Sequence, residues 1–370
     1  MSALRAEGAL ALTARPPRPR LFSSFEFWPG ALFYAPMVLH WLGLALRHRS
    51  LTLPSIANPL MEAGGLCGES KLALFAQFGP QARAVLAPYV GFTRRAGEDS
   101  EAQCSEACAA MQAAELGFPV VAKPDIGCRG AGVQRIRDPA GLRRYLESFP
   151  GGARLVLQRL VKDEGEAGIF YVRKPGEKAG RIVSITLKYF PSVIGDGRAT
   201  LEALIRRDPR AGPIAHLYLP RHADRLARVL APGERLPLVF AGNHCRGAVF
   251  KDGTALATNA LAGAIERIAR DVPEFHFGRF DLRFASLRAL LRGEGFTLIE
   301  VNGAGSEATH IWDKDAALLD AYRSLIAQFS LAFAIGAANR RRGFRPIGPL
   351  ALMRAWRREK RLMRRYPLTE

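Results

Sequence analysis

Apolar positions along the chain change period several times, and each change predicts a different element. Residues 25–49, FEFWPGALFYAPMVLHWLGLALRHR, carry no formal charge from Phe27 to Leu46. That length is close to what a bilayer crossing needs. Pro29 and Pro36 interrupt it, so a clean helix is expected only from about Met37 to Leu46. Its aromatic residues, closed by Arg47, His48 and Arg49, suit a membrane-interface element, while burial against the rest of the protein and a true span are the competing readings. In 68–78, GESKLALFAQF, the spacing predicts a helix start with Glu69 near its positive end. Residues 105–116 predict a second helix, stopped by Gly117.

Strand-type runs follow. FPVVAKP (118–124) and ARLVLQRLV (153–161) flank a Gly-rich loop and a helix near 139–148. Residues 168–174 and 180–190 read as a hairpin turning at Pro175 and Gly176. A helix is expected in 195–207, then an irregular basic stretch to about 235, two strands in 238–253 and a helix over 257–269. Residues 278–286 and 295–303 read as paired strands, and a further helix lies near 315–334. The tail from Arg340 is strongly basic, and from about Leu350 it has the pattern of a basic amphipathic helix, docking or simply solvated. The first twenty residues, basic and Pro-rich, read as a frayed leader with no secretory signal.

Composition adds two constraints. Lys and Arg number 53 against 34 Asp and Glu, a net charge of +19. Anionic partners follow from that balance, although an Arg-rich chain is also what a GC-rich genome produces. No zinc finger, RNP-type aromatic motif or basic zipper is present, so no specific nucleic-acid partner is expected. The five cysteines form no C-x-x-C pair, which points to reduced thiols and a cytoplasmic compartment.

Two places could carry chemistry. In AKPDIGCRGAGV (122–133) Lys123 ends a strand, and Gly127, Gly130 and Gly132 follow in a loop whose backbone could close around phosphate oxygens. It is neither a Walker A loop nor a Rossmann fingerprint, and a structural turn explains it equally well. In GRFDLRF and LIEVNG, Glu300 and Asn302 are two apart and share a strand face, and antiparallel pairing would bring Asp281 beside them. These hard oxygen donors suit Mg²⁺ carrying nucleotide phosphates, the alternative being a half-exposed polar sheet face. Arg279 shares the face of Asp281 and could offset phosphoryl charge. Gln158, the backbone of 159–161 and the acids Asp163, Glu164 and Glu166 could hold adenine and ribose, or form a solvated turn. Lys188 and the GDG turn after it are further phosphate or substrate candidates. His216, His222, His244 and His310 are expected to be ordinary surface or core residues.

In this order the motifs over about 110–335 resemble those of the ATP-grasp superfamily, which includes D-alanine–D-alanine ligase. The resemblance implies an α+β fold in which two lobes grip ATP, here preceded by an N-terminal α/β domain with the apolar lead segment. It implies roles as well. Lys123 and the loop glycines would meet the phosphates, and Gln158, Leu160, Val161, Glu164 and Glu166 would form the nucleotide hinge near 158–166. Asp281, Glu300 and Asn302 would hold Mg²⁺, two ions in all. Arg279, Lys188 and, from GNHCRG, Asn243 and Arg246 would stand near the reacting groups. GAGSEATHIWD departs from the Pro-Gly common in D-alanine–D-alanine ligases, which leaves the substrate open.

The expected organisation is a leader (1–24), an N-terminal domain (25–110), an ATP-grasp domain (111–335) and a basic tail (336–370). The expected activity is ATP- and Mg²⁺-dependent ligation of a small-molecule or peptide carboxylate to an amine through an acylphosphate. The expected location is cytoplasmic, with peripheral contact at an anionic inner membrane face. The competing expectation is a membrane-surface, nucleotide-binding relative without ligase activity.

Overall fold

The computed structural model describes Phe25 and residues 28–209, 211–240, 248–313 and 315–370. Two antiparallel sheets form its framework. The first has the order β1-β4-β2-β3, from Tyr89–Thr93 (β1), Val120–Pro124 (β2), Gln134–Ile136 (β3) and Arg154–Arg159 (β4). The second has the order β11-β10-β5-β6-β9, from Gly165–Val172 (β5), Arg181–Tyr189 (β6), Val249–Asp252 (β9), Phe277–Phe284 (β10) and Phe296–Asn302 (β11). A two-stranded ribbon pairs Ser192–Ile194 (β7) with Arg235–Pro237 (β8). Eight helices are used below: Gly30–His48 (α1), Lys71–Ala76 (α2), Ser100–Ala113 (α3), Pro139–Ser148 (α4), Leu201–Arg207 (α5), Asn259–Arg270 (α6), Leu318–Arg341 (α7) and Pro349–Met363 (α8). Mixed helix and strand in two lobes is the α+β arrangement expected.

Alternation along the strands decides what each sheet face does. In β2, Val120 and Ala122 enter a core with Met111 of α3 and Leu142 and Leu146 of α4. Val121 and Lys123 project from the opposite face into a cleft. In the second sheet Ile169, Phe280, Leu282 and Leu298 pack on Leu261, Ile265 and Ile268 of α6. The other face carries Glu166, Lys188, Arg279, Asp281, Glu300 and Asn302 into the same cleft. One layer of each sheet is therefore apolar and helix-covered, while the polar layers face each other.

Several expected boundaries shift for local reasons. α3 begins at Ser100, not 105, because Asp99 caps it by accepting from the Ala102 amide. α2 begins after Ser70, whose hydroxyl accepts from the Ala73 amide, so Glu69 precedes the cap. In 195–207 only Leu201–Arg207 is helical, capped by Thr200. α7 continues to Arg341, its basic last turn lying at the negative helix end. The loop between β10 and β11 contains a one-turn helix, Leu287–Leu291. Of the two strands expected in 238–253, Val249–Asp252 forms; among the other described residues Leu238–Phe240 is not strand, and 241–247 lie outside the described residues.

The apolar lead segment corrects the expectation of a helix confined to Met37–Leu46: α1 is continuous from Gly30, with Pro36 inside it. Pro36 stands on the exposed side, where its ring meets solvent rather than a packed neighbour. The inner side, with Phe33, Met37, Leu44 and Ala45, is buried. There Trp41 packs edge-on against Phe329 and Phe333 of α7, at 5.4 and 4.9 Å. The outer side is apolar and open, Leu32, Leu39 and Leu46 being 59, 71 and 81% exposed. Among the described residues α7 alone is long and apolar enough to cross a membrane, and its Leu325, Phe333 and Ile335 are buried within the protein.

Candidate active site

The cleft between the sheets has a volume of about 580 Å³. Its floor is the paired end of β10 and β11, where Asp281 stands opposite Glu300 and Arg279 opposite Asn302. The Arg279 Nε donates to both oxygens of Asp281 at 3.1 Å, and its Nη2 to Oδ2 at 3.0 Å. Asn302 Nδ2 donates to Oδ2 at 2.9 Å. From β6, Lys188 Nζ reaches Asp281 Oδ1 at 2.8 Å and Glu166 Oε1 at 3.1 Å. Burial works against the charge on Asp281, but Arg279 and Lys188 outweigh it and hold the carboxyl down to about 2.

This packing of charge needs room beneath it. Gly168 of β5 lies opposite Asp281, and a Cβ there would come within 2.9 Å of Arg279 Cδ and 3.0 Å of Asp281 Oδ1. Only glycine lets the Arg279–Asp281 pair lie flat on the sheet.

The roof is the first sheet and its Gly-rich loop. Lys123 crosses the cleft and donates to the Ile299 carbonyl at 2.8 Å. Burial pushes its ammonium down to about 8, against the attraction of Glu300. Gly127, Gly130 and Gly132 all have positive φ, as the loop requires. Gly127 and Gly130 face the cleft. Gly132 instead gives its carbonyl to the Tyr145 hydroxyl and its amide to Thr369.

The hinge residues divide. Gln158, Leu160 and Val161 line the cleft, and Gln158 donates to the Ala87 carbonyl at 3.2 Å. Glu166 is buried on the second sheet, with Arg283 at 2.9 Å and Lys188 as partners. Glu164 is exposed and outside the cleft lining, because the strand that turns alternate residues inward begins only at Gly165. Asn243 and Arg246, like His244, lie outside the described residues. The buried His222 bonds the Leu238 carbonyl, and His310 bonds Ser184, so both are used structurally.

Two residues of the cleft escape sequence reasoning. Glu69 and Lys71 flank the Ser70 cap. Asp125, directly after the Lys123 strand, accepts from Ser70 Oγ at 2.8 Å and the Leu72 amide at 2.8 Å, drawing the segment against the loop. Lys71 Nζ lies 3.0 Å from the Gly127 carbonyl and 3.3 Å from Glu300 Oε1. Glu69 is pushed up to about 8 by burial, with Lys71 opposing and Glu300 adding to the rise, and its Oε2 has no hydrogen-bond partner. The preceding turn docks on the end of β11 through Ala304 N to Gly64 O, 3.0 Å, and Gly305 N to Gly65 O, 2.6 Å. A Cβ on Gly303 would overlap Gly65 Cα at 2.7 Å, so the approach requires glycines on both sides. The doublet Gly64–Gly65 before GESK was the available signal.

Asp281, Glu300 and Asn302 are chemically suited to Mg²⁺ held jointly with phosphate oxygens and water. Among the described residues no three His, Cys, Asp or Glu side chains are grouped to hold a metal alone. Glu300 is half-buried and open to the cleft, while Asp281 would have to release a bond from Lys188 or Arg279 to become a ligand. The donor set fits an ion delivered with a polyphosphate better than one bound to the protein first.

No family model and no curated protein matches the chain. Solved structures do match, at low identity. A D-alanine–D-alanine ligase from Bacillus anthracis is 14% identical, over 76% of this chain and 72% of that one, with a TM-score of 0.40. A D-cycloserine synthetase is 15% identical, over 75% and 70%, with a TM-score of 0.36. A bifunctional glutathione synthetase from Pasteurella multocida is 16% identical, over 70% of this chain but only 36% of that one, with a TM-score of 0.33. The cleft itself sets Lys71 and Lys123 against a floor in which Asp281, Glu300 and Asn302 stand among Lys188 and Arg279.

Proposed function

We propose that the chain is an ATP-grasp carboxylate–amine ligase that uses Mg²⁺·ATP. One observation carries the reading: Lys123 and Lys188 with Arg279 from the two sheets, and Lys71 from α2, converge on one cleft that also holds Asp281, Glu300 and Asn302. An anion of high charge carrying a divalent cation matches both halves of that set. Adenine would lie against Gln158, Leu160 and Val161, with Glu166 as the acid for ribose. The bound Mg²⁺ would supply charge neutralisation at the phosphates.

The reaction takes two displacements. A substrate carboxylate oxygen attacks the γ-phosphorus, the bond to the β-phosphate oxygen breaks, and ADP leaves. A neutral amine then attacks the acylphosphate carbonyl, phosphate departs, and the amine proton goes to the departing phosphate. The chain's part is electrostatic and positional: Lys123 and Lys71 hold phosphoryl oxygens, and Arg279 offsets the charge shifted during transfer. No side-chain nucleophile is needed.

The test is release of ADP and phosphate with amino acids and short peptides as donor and acceptor. Failure of the protein to bind ATP, together with no effect of Asp281→Ala and Glu300→Ala, would end the reading. A second reading, attachment to an anionic membrane from the cytoplasmic side with or without ligation, is favoured by the open apolar side of α1 and the Arg47–Arg49 end beside Arg340.

A further inference from the structure

The basic tail is the part of the chain that the proposed chemistry leaves unused, and it does not stand away from the protein. α8 is seated along the cleft mouth, with Trp356, Glu359 and Lys360 in the lining. The buried Glu359 accepts from the Gly68 amide at 2.8 Å, beside the turn that carries Glu69. Tyr366 stacks on Phe149, ring centroids 5.3 Å apart, and its hydroxyl donates to the Ile126 carbonyl at 2.7 Å.

Residues 368–370 then run beside the Gly-rich loop. The Thr369 hydroxyl accepts from the Gly132 amide at 3.0 Å and donates to the Gly130 carbonyl at 2.8 Å. The Glu370 amide donates to the Val133 carbonyl at 3.1 Å, and the Glu370 carboxylate receives Arg135 through its amide (2.8 Å) and guanidinium (2.6 Å). Gln134 donates to the Leu368 carbonyl at 2.6 Å.

A loop with Gly127, Arg129, Gly130 and Gly132 all at positive φ has many alternatives of similar energy unless something outside it selects one. We propose that residues 364–370 are that selector: a clasp that positions the Gly-rich loop, with the Thr369 hydroxyl as its positioning group. The inference rests on the nucleotide reading above for its consequence, which is that the loop's hold on the phosphates of a nucleoside triphosphate depends on a side chain that does not touch them.

Thr369→Val keeps the shape and removes both bonds, while Thr369→Ser keeps the hydroxyl. Hydrogen exchange at amides 127–133, measured without nucleotide, should speed up in the Val variant and return to the wild-type rate in the Ser variant. The Kd for Mg²⁺·ATP should rise about tenfold in Val, the loss of two ordinary hydrogen bonds, with kcat at saturating ATP unchanged and Ser restoring affinity. Tyr366→Phe, which loses only the bond to Ile126, should show the same effects more weakly. Unchanged exchange in Thr369→Val overturns the clasp, as does faster exchange with an unchanged Kd. If the wild-type protein binds no nucleotide, the ligase reading falls, and the exchange result still decides the clasp.

Discussion

Lys188 Nζ lies 2.8 Å from Asp281 Oδ1, and both side chains are almost wholly buried. Neither charge is tolerable there alone, since an uncompensated buried ion costs about 3–5 kcal/mol when its partner is removed. Asp281→Ala is expected to destabilise the fold by about that amount, leaving Arg279 and Lys188 to repel each other. The double variant Asp281→Ala with Lys188→Met should recover part of the loss, measured by denaturant unfolding. Neither should release ADP. Full stability in the single variant would contradict the arrangement.

Gly168→Ala tests the same site by volume alone. The added methyl must displace Arg279 or Asp281, for a cost of about 1–3 kcal/mol. Turnover should fall more than stability suggests, by up to about 100-fold if the pair moves near 1 Å. Wild-type turnover would mean that the Arg279–Asp281 geometry is irrelevant to the chemistry.

Lys123 gives the pH dependence a sign. Its ammonium is held at about 8 by burial, and phosphate oxygens beside it would favour the protonated form. Nucleotide binding should therefore take up a proton near pH 8, and affinity should decline as pH rises through that value. Titration calorimetry in buffers of different ionisation enthalpy reads the uptake directly. Lys123→Arg, always charged, should bind with a flat profile over the same range.

The polar half of the site was legible because strands have a period of two. Spacing places Glu300 and Asn302 on one face, Asp281 joins them only if the strands pair antiparallel, and the register Asp281 to Glu300 meets that condition. The period does not separate Glu164 from Glu166, which are two apart; the strand start at Gly165 does, leaving Glu164 before it and exposed. Glu69 and Lys71 were not legible. They flank a helix cap, and their direction is set by Asp125 and by the Gly303–Gly305 turn, more than 50 residues away in each case. The seat of α8 stayed open for a related reason: its charge pattern suits a docked or a solvated helix alike, and only its neighbours show that Glu359 is buried.

The outer side of α1 predicts a measurable association. Leu39 and Leu42 are exposed and contribute nothing to the core, so Leu39→Glu with Leu42→Glu should leave the melting temperature within a few degrees, consistent with about 0.5 kcal/mol for a surface change. On the membrane reading, the wild-type protein sediments with anionic liposomes at low salt and the double variant stays in the supernatant. Equal partitioning of the two would remove α1 from any such contact.

The bond from Lys123 to the Ile299 carbonyl joins the first sheet to the middle of β11, the edge strand of the second. Its consequence is mechanical. Leu86 and Tyr89 pack on the second sheet's apolar core at the back, while at the cleft itself Lys123 and, from α2, Lys71 beside Glu300 make the contact with ammonium groups, each of which can be exchanged for a phosphoryl oxygen. The gape of the cleft is thus set by where these two lysines find their acceptors, so filling the cleft and adjusting its width become the same exchange.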